Sequence, residues 1–176
     1  MLVALFEDAD RSTPGARDTH VILTKRPDTM PSHQGEIAFP GGKYDEAVDD
    51  SLRAAALREA QEEIGLDPSL VEVVAELDSL VTVMGRFVLT PFVGLLSARP
   101  TLARDPTEVV SVFDVGIAEL LDDATFREER WDVPAGVGVT PGRDRPIHFF
   151  ELPGETVWGA TARILASLLE HLTASR

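Results

Sequence analysis

The chain contains no cysteine, and this absence excludes a disulfide framework, a thiolate metal site and a cysteine nucleophile. It has no apolar run approaching the roughly 20 residues that a membrane-spanning helix needs. The opening MLVALF is too short for a secretory signal and lacks its basic start. A cytoplasmic protein with no membrane partner is the expectation. Positive charge is scarce: 16 Lys and Arg stand against 30 Asp and Glu, a formal charge of −14. Such a field repels polyanions, so no nucleic acid is expected. A small phosphorylated molecule is admissible where metal ions and a few basic groups reverse the sign locally. Internal repeats, low-complexity tracts and linkers are missing as well. The 176 residues suit a single domain over 1–176 with a core that needs no staples. Its 44% hydrophobic and 26% charged content is that of an ordinary soluble globular protein. Oligomeric state is not legible.

What is present is concentrated in residues 41–66, and above all in the run REAQEEIG. At ~100° per residue a helix gathers Glu59, Glu62 and Glu63 within roughly a third of its circumference and sets Leu57, Ala60 and Ile64 nearly opposite. Three carboxylates at i, i+3 and i+4 repel one another, and Arg58 relieves only part of that repulsion. A hard divalent cation, Mg²⁺ or Mn²⁺, suits the remainder; a solvated acidic face is the plain alternative. Asp49, Asp50 and Ser51 are candidates for the helix N-cap, and Gly65 with Pro68 marks its end. Ahead of the helix, Phe39-Pro40-Gly41-Gly42 reads as a strand that ends in a sharp turn, where glycine lets backbone approach a ligand.

Elsewhere, residues 2–6 and 20–25 read as strands, with a polar loop carrying Pro14 and Gly15 between them. Nothing precedes the first strand to cap or cover it, which leaves open a further N-terminal segment. Residues 70–83 and 87–96 are strand-like around Met84-Gly85-Arg86 and suggest a hairpin. Residues 109–115 form another strand and 117–121 a short helix. Two strands, 125–133 and 146–152, flank a glycine- and proline-rich stretch, and 157–172 is an amphipathic helix. Arg26, at a strand end, is either a bidentate phosphate fork or half of a surface ion pair. His33 is a substrate contact or a polar loop residue, and Glu108 a catalytic group or an exposed glutamate at a strand start. Trp158 is explained by packing as well as by recognition.

The run from Arg58 to Leu66 resembles the second half of the Nudix box, R-E-U-x-E-E-x-G-U with U aliphatic, and Gly41-Gly42 resembles its opening. One departure is plain: where the family has an acid six residues after a glycine, this chain has Ala47 or Val48. Asp50, eight residues before Arg58, stands at the place of the family's glutamate, which implies two extra loop residues. Leu23, Thr24, Arg26, Gly35, Phe39, Pro40, Gly41 and Gly42 resemble, in order and spacing, the motif L-L-T-x-R, spacer, G-x-x-x-F-P-G-G of the coenzyme A pyrophosphatase subfamily. Pro27 and Pro31 depart from it, the latter where a second arginine is usual. Trp158-Gly159-Ala160-Thr161-Ala162 resembles the subfamily's W-G-x-T-A.

The resemblance implies an α+β fold, a Nudix-type α/β/α sandwich with a mixed β-sheet between helices. It implies metal-dependent cleavage of the coenzyme A pyrophosphate into 3′,5′-ADP and 4′-phosphopantetheine. The alternatives are another nucleoside diphosphate derivative (ADP-ribose, NADH or a dNTP) or nucleotide sensing without cleavage. Mg²⁺ or Mn²⁺ is then held by Glu59, Glu62 and Glu63, with a backbone carbonyl of Gly41 or Gly42 as a further ligand. Arg58 orients a glutamate, Glu108 is an additional ligand or base, and Arg26, Lys25, His33 and Lys43 are the residues for substrate.

Overall fold

Strand β1 (Leu2–Asp8) is apolar on both faces, and Leu2, Ala4 and Phe6 are buried on one side as fully as Val3 and Leu5 on the other. A strand of this kind belongs inside a sheet that is covered twice. The computed structural model describes residues 1–8, 18–29, 33–82, 87–133 and 142–174. The loop with Pro14 and Gly15, Pro31, the Met84-Gly85-Arg86 break and most of the glycine- and proline-rich stretch lie outside the described residues.

Strand β2 (Asp18–Lys25) runs antiparallel to β1, with Phe6 opposite His20 and Asp8 opposite Asp18. On the other flank of β1, β7 (Phe92–Leu96) is parallel, and β4 (Glu72–Glu76) closes that edge antiparallel to β7. The second edge of β2 pairs with β8 (Ser111–Gly116) from His20 to Lys25, while β3 (Ile37–Ala38) follows β1 along the first, opposite Thr24 and Lys25. The six-stranded sheet is mixed because of the one parallel pair.

Helix α1 (Leu52–Ile64) covers one face, where Ala56, Ala60 and Ile64 meet Leu2, Ala4, Phe6 and Ile22. Helix α3 (Gly159–Ala174) covers the other, where Ile164, Leu165 and Leu168 join Val3, Leu5, Val21 and Leu23. The short α2 (Ile117–Leu120) adds Ile117 and Leu120 to that second core. Burying each large apolar side chain contributes roughly 1.5–3 kcal/mol. The small alanines of α1 also let its backbone lie close to the sheet. The architecture is thus the α/β/α sandwich expected from the sequence.

A second sheet orders β11 (Glu155–Trp158), β10 (Gly142–Leu152) and β9 (Phe126–Val133). Here the sequence reading needs correction, because Val157 and Trp158 were assigned to the terminal helix and instead end a strand. Both favour extended backbone and pair with Phe150 and Phe149, and Gly159, at φ 64°, turns the chain into α3. The 70–96 region divides similarly into a 3₁₀ turn Pro68–Leu70, β4, a hairpin of β5 (Leu80–Val81) with β6 (Val88–Leu89), and β7.

Ser51 is the residue that caps α1, its hydroxyl accepting from the Ala54 N–H at 3.1 Å. Gly65 ends the helix at φ 67° and donates to the Gln61 carbonyl at 2.9 Å. The connection 97–110 then takes up the last carbonyls: Ala103 N–H donates to Ile64 at 2.9 Å and Asp105 N–H to Glu63 at 2.8 Å. A methyl group on Gly65 would meet the Ala103 carbonyl oxygen at 3.0 Å, in a left-handed conformation that alanine resists. We expect Gly65→Ala to cost about 1 kcal/mol or more and to lower Tm by roughly 2–4 °C or more in calorimetry. An unchanged Tm would show that this cap does not matter.

Candidate active site on the carboxylate helix

The site is built where β3 runs out into the Gly41-Gly42 turn. Phe39 anchors that turn in the core, and the Pro40 carbonyl accepts from the Leu2 N–H at 2.8 Å, fastening it to the start of β1. From this position Gly41 N–H donates to Glu63 Oε2 at 2.9 Å. A Cβ on Gly42 would fall 2.2 Å from Glu59 Oε2, so a side chain there would push the Glu59 carboxylate from its place.

Glu63 is buried, only 6% exposed. Desolvation pushes its carboxyl up to about 7, the Gly41 N–H opposes that rise, Glu59 and Glu108 add to it, and Arg26 opposes it more weakly. Glu108 reaches the site because residues 97–110 fold over the end of α1 and return with Val110 N–H on the Lys25 carbonyl at 2.8 Å. Arg26, the next residue, brings a positive charge toward Glu63, and its Nε is buried without a hydrogen-bond partner.

Arg58 is fully engaged. Its Nε and Nη2 grip Asp49 at 2.8 and 3.0 Å, Nη2 lies 2.9 Å from Glu59 and Nη1 2.8 Å from Glu62. Asp49 also accepts from the Asp45 N–H at 2.9 Å. The Arg58 guanidinium and that N–H hold the Asp49 carboxyl below the usual carboxylate range. Its partners in turn raise Arg58 further above its ordinary value. Glu59 and Glu63 therefore face the turn, whereas Glu62, 60% exposed, is turned outward onto Arg58.

These features have counterparts in known proteins. A family model of the NUDIX domain matches residues 13–133. The chain is 40% identical over 172 residues to "Nudix hydrolase 22, chloroplastic" of Arabidopsis thaliana, covering 94% of this chain and 52% of that one. It is 44% identical over 153 residues to "Uncharacterized Nudix hydrolase NudL" of Cronobacter sakazakii, covering 84% and 72%. The chain belongs to the Nudix family. It spans about half the length of the Arabidopsis relative. In fold it is similar to a MutT/nudix family protein from Enterococcus faecalis, with TM-score 0.55, 15% identity and coverage of 98% of this chain and 61% of that one.

In the loop before the helix, the structure distinguishes the two adjacent acids that the sequence offers. Asp49, not Asp50, is the loop acid that meets Arg58: Asp50 is exposed, while Asp49 is buried on Arg58. The turn at residues 45–49, closed by the Asp45 N–H on Asp49, holds that carboxylate against the Arg58 guanidinium. The only available signal was that two adjacent acids precede Ser51.

The other residues expected to meet substrate are dispersed. Lys25 is bound to Glu155 at 2.6 Å, and His33, at φ 56° and exposed, lies 2.8 Å from Glu36 within its own loop. Lys43 is exposed beside a hollow of about 420 Å³ lined also by Tyr44, Arg58, Glu59 and Glu62.

A divalent cation fits this donor set. Glu63 lacks enough positive charge to ionise readily, Glu59 has a cradle kept open by Gly42, and all the donors are hard oxygens. Because Glu63 binds its proton more tightly folded than unfolded, the stability it lends is full below about 4.5 and is lost as pH rises toward about 7. The change is on the order of 3 kcal/mol. Denaturant titrations of metal-free protein between pH 4.5 and 8 should show this fall, and Glu63→Gln should flatten it. An identical slope in the variant would place the titration elsewhere.

Proposed function

We propose that the chain is a divalent-metal-dependent pyrophosphatase of nucleoside diphosphate derivatives, with coenzyme A as its substrate. The observation that carries the reading is the buried Glu63, beside Glu59 and Glu108 and under the Gly41 N–H, with Arg26 facing the same cluster. Glu59 and Glu63 would hold Mg²⁺ or Mn²⁺, with Glu108 close enough to share. The ion, when bound, supplies charge neutralisation on the phosphate oxygens and acidifies water.

The chain's own residues do the rest. Arg58 fixes the Glu59 carboxylate through contacts that Asp49 anchors, so that the ligand does not drift during turnover. Arg26, with an unsatisfied Nε, offers a fork to a phosphate, and Lys43 offers a second cation at the rim of the neighbouring hollow. Glu108 would accept a proton from the attacking water. Water then adds to one phosphorus, the bridging oxygen leaves with the other, and the two products, each ending in a phosphate monoester at the cleaved bridge, are 3′,5′-ADP and 4′-phosphopantetheine.

Coenzyme A rather than another nucleotide is favoured by the run from Leu23 to Gly42 and by Trp158-Gly159-Ala160-Thr161-Ala162. These lie close together, since Thr161 donates to the Ile37 carbonyl at 3.0 Å and Glu155 of β11 holds Lys25.

Hydrolysis should vanish in EDTA and return with Mg²⁺ or Mn²⁺; full turnover in chelator contradicts the mechanism. Glu59→Gln and Glu63→Gln should each lower kcat on the order of 10²-fold or more. Arg26→Ala should mainly raise KM if its contact is equally strong in the ground and transition states. Mass spectrometry of reactions with coenzyme A, ADP-ribose, NADH and dNTPs tests the substrate: no cleavage of coenzyme A alongside efficient turnover of another member would reassign it.

A further inference from the structure

A second group of ligating side chains lies at the far end of the sheet. β1 starts beside Pro40 and reaches Asp8 six residues later, roughly 20 Å away at ~3.3 Å per residue. There Asp8, His20 and Asp114 project from β1, β2 and β8 on the face that carries Phe6 and Ile22, and their ligand atoms all lie within 4.8 Å of one another. Three adjacent strands hold them, so their separation is set by the sheet rather than by a loop.

His20 is 4% exposed and stacked on Phe6 at 5.5 Å. Its Nδ1 is 2.8 Å from Asp114 Oδ2 and its Nε2 3.5 Å from Asp18 Oδ2, yet neither contact has hydrogen-bond geometry. Both ring nitrogens are therefore buried without a hydrogen-bond partner, and a buried polar atom in that condition is an exception to be explained.

Two of these carboxylates meet Arg99: Nη1 lies 2.9 Å from Asp8, and Nη2 bonds to Asp114. Arg99 is half-exposed on the connection after β7, so it covers the cluster from the solvent side and is displaceable. Next to it a cavity of about 460 Å³, lined by Phe6, Ile22, Arg99 and Asp114 among others, provides an entry path and room for water.

We propose that Asp8, His20 and Asp114 form a second cation site, independent of the carboxylate helix and of the activity assigned to it. Two carboxylates with an imidazole select a transition ion, Zn²⁺, Mn²⁺ or Co²⁺, over Mg²⁺, which prefers oxygen alone. The ion replaces the Arg99 guanidinium, which swings into solvent.

The test uses the full chain carrying Glu59→Gln and Glu63→Gln, so that the helix site contributes no binding. Equilibrium dialysis against Zn²⁺ should retain one ion per chain, and Co²⁺ should give a visible d–d absorption band. Adding His20→Asn or Asp114→Asn should abolish both signals in protein whose circular dichroism is unchanged. Adding Arg99→Ala should tighten binding about tenfold or more by removing the competing cation. No retained ion, with Arg99 present or absent, overturns the proposal and leaves an ion-pair clasp around His20. Retention unaffected by either ligand variant overturns it equally.

Discussion

The structure depends on one costly arrangement, a carboxylate taken out of water among other carboxylates. Glu63 is buried beside Glu59 and Glu108, and among the described residues a single backbone N–H, that of Gly41, is its hydrogen-bonded compensation. Burial penalises the ionised form, and like charges add to the penalty. Such a site persists because the surrounding structure is over-determined. Alanines press α1 onto the sheet, Ser51 and Gly65 fix its ends, Phe39 and Pro40 fix the turn, and residues 97–110 close over the last turn of the helix. Each of these contacts is ordinary; together they hold an arrangement that would otherwise relax by turning a glutamate outward.

The two arginines nearest the cluster divide the electrostatic work. Arg58 is satisfied by Asp49, Glu59 and Glu62 together with the Lys43 carbonyl, so it has no capacity left for a ligand and serves as a strut. Arg26 is the reverse, a guanidinium near Glu63 with a buried nitrogen unsatisfied. One makes the acidic surface rigid, and the other leaves attraction available for an anion. In a chain of formal charge −14, that difference is what the proposed phosphate contact of Arg26 rests on.

The same logic distinguishes the two carboxylate groups at opposite ends of β1. At the helix the donors are oxygens and a glycine turn leaves space beside them. At Asp8, His20 and Asp114 a half-exposed arginine pairs with the two aspartates beside a buried imidazole. Both groups lie on the α1 side of the sheet, whose other face is apolar packing beneath α3.

By itself the sequence determined whatever has a short period or a local cause. The acidic and apolar faces of α1 follow from 3.6 residues per turn. The stop at Gly65 follows from the one residue free to adopt a left-handed conformation, and the Gly41-Gly42 turn from the need for backbone without side chains. The motifs around them identified the family, and with it the sandwich. Tertiary structure decided whatever depends on residues that meet across the fold. It chose Asp49 over Asp50 for Arg58, paired Lys25 with Glu155, and made Val157 and Trp158 a strand by offering them Phe150 and Phe149. It also brought Glu108 to Glu63 and set Asp8, His20 and Asp114 side by side. Local pattern cannot encode these choices, because a side chain's partner is set by strand register and loop closure, and a shift of one residue exchanges it for another.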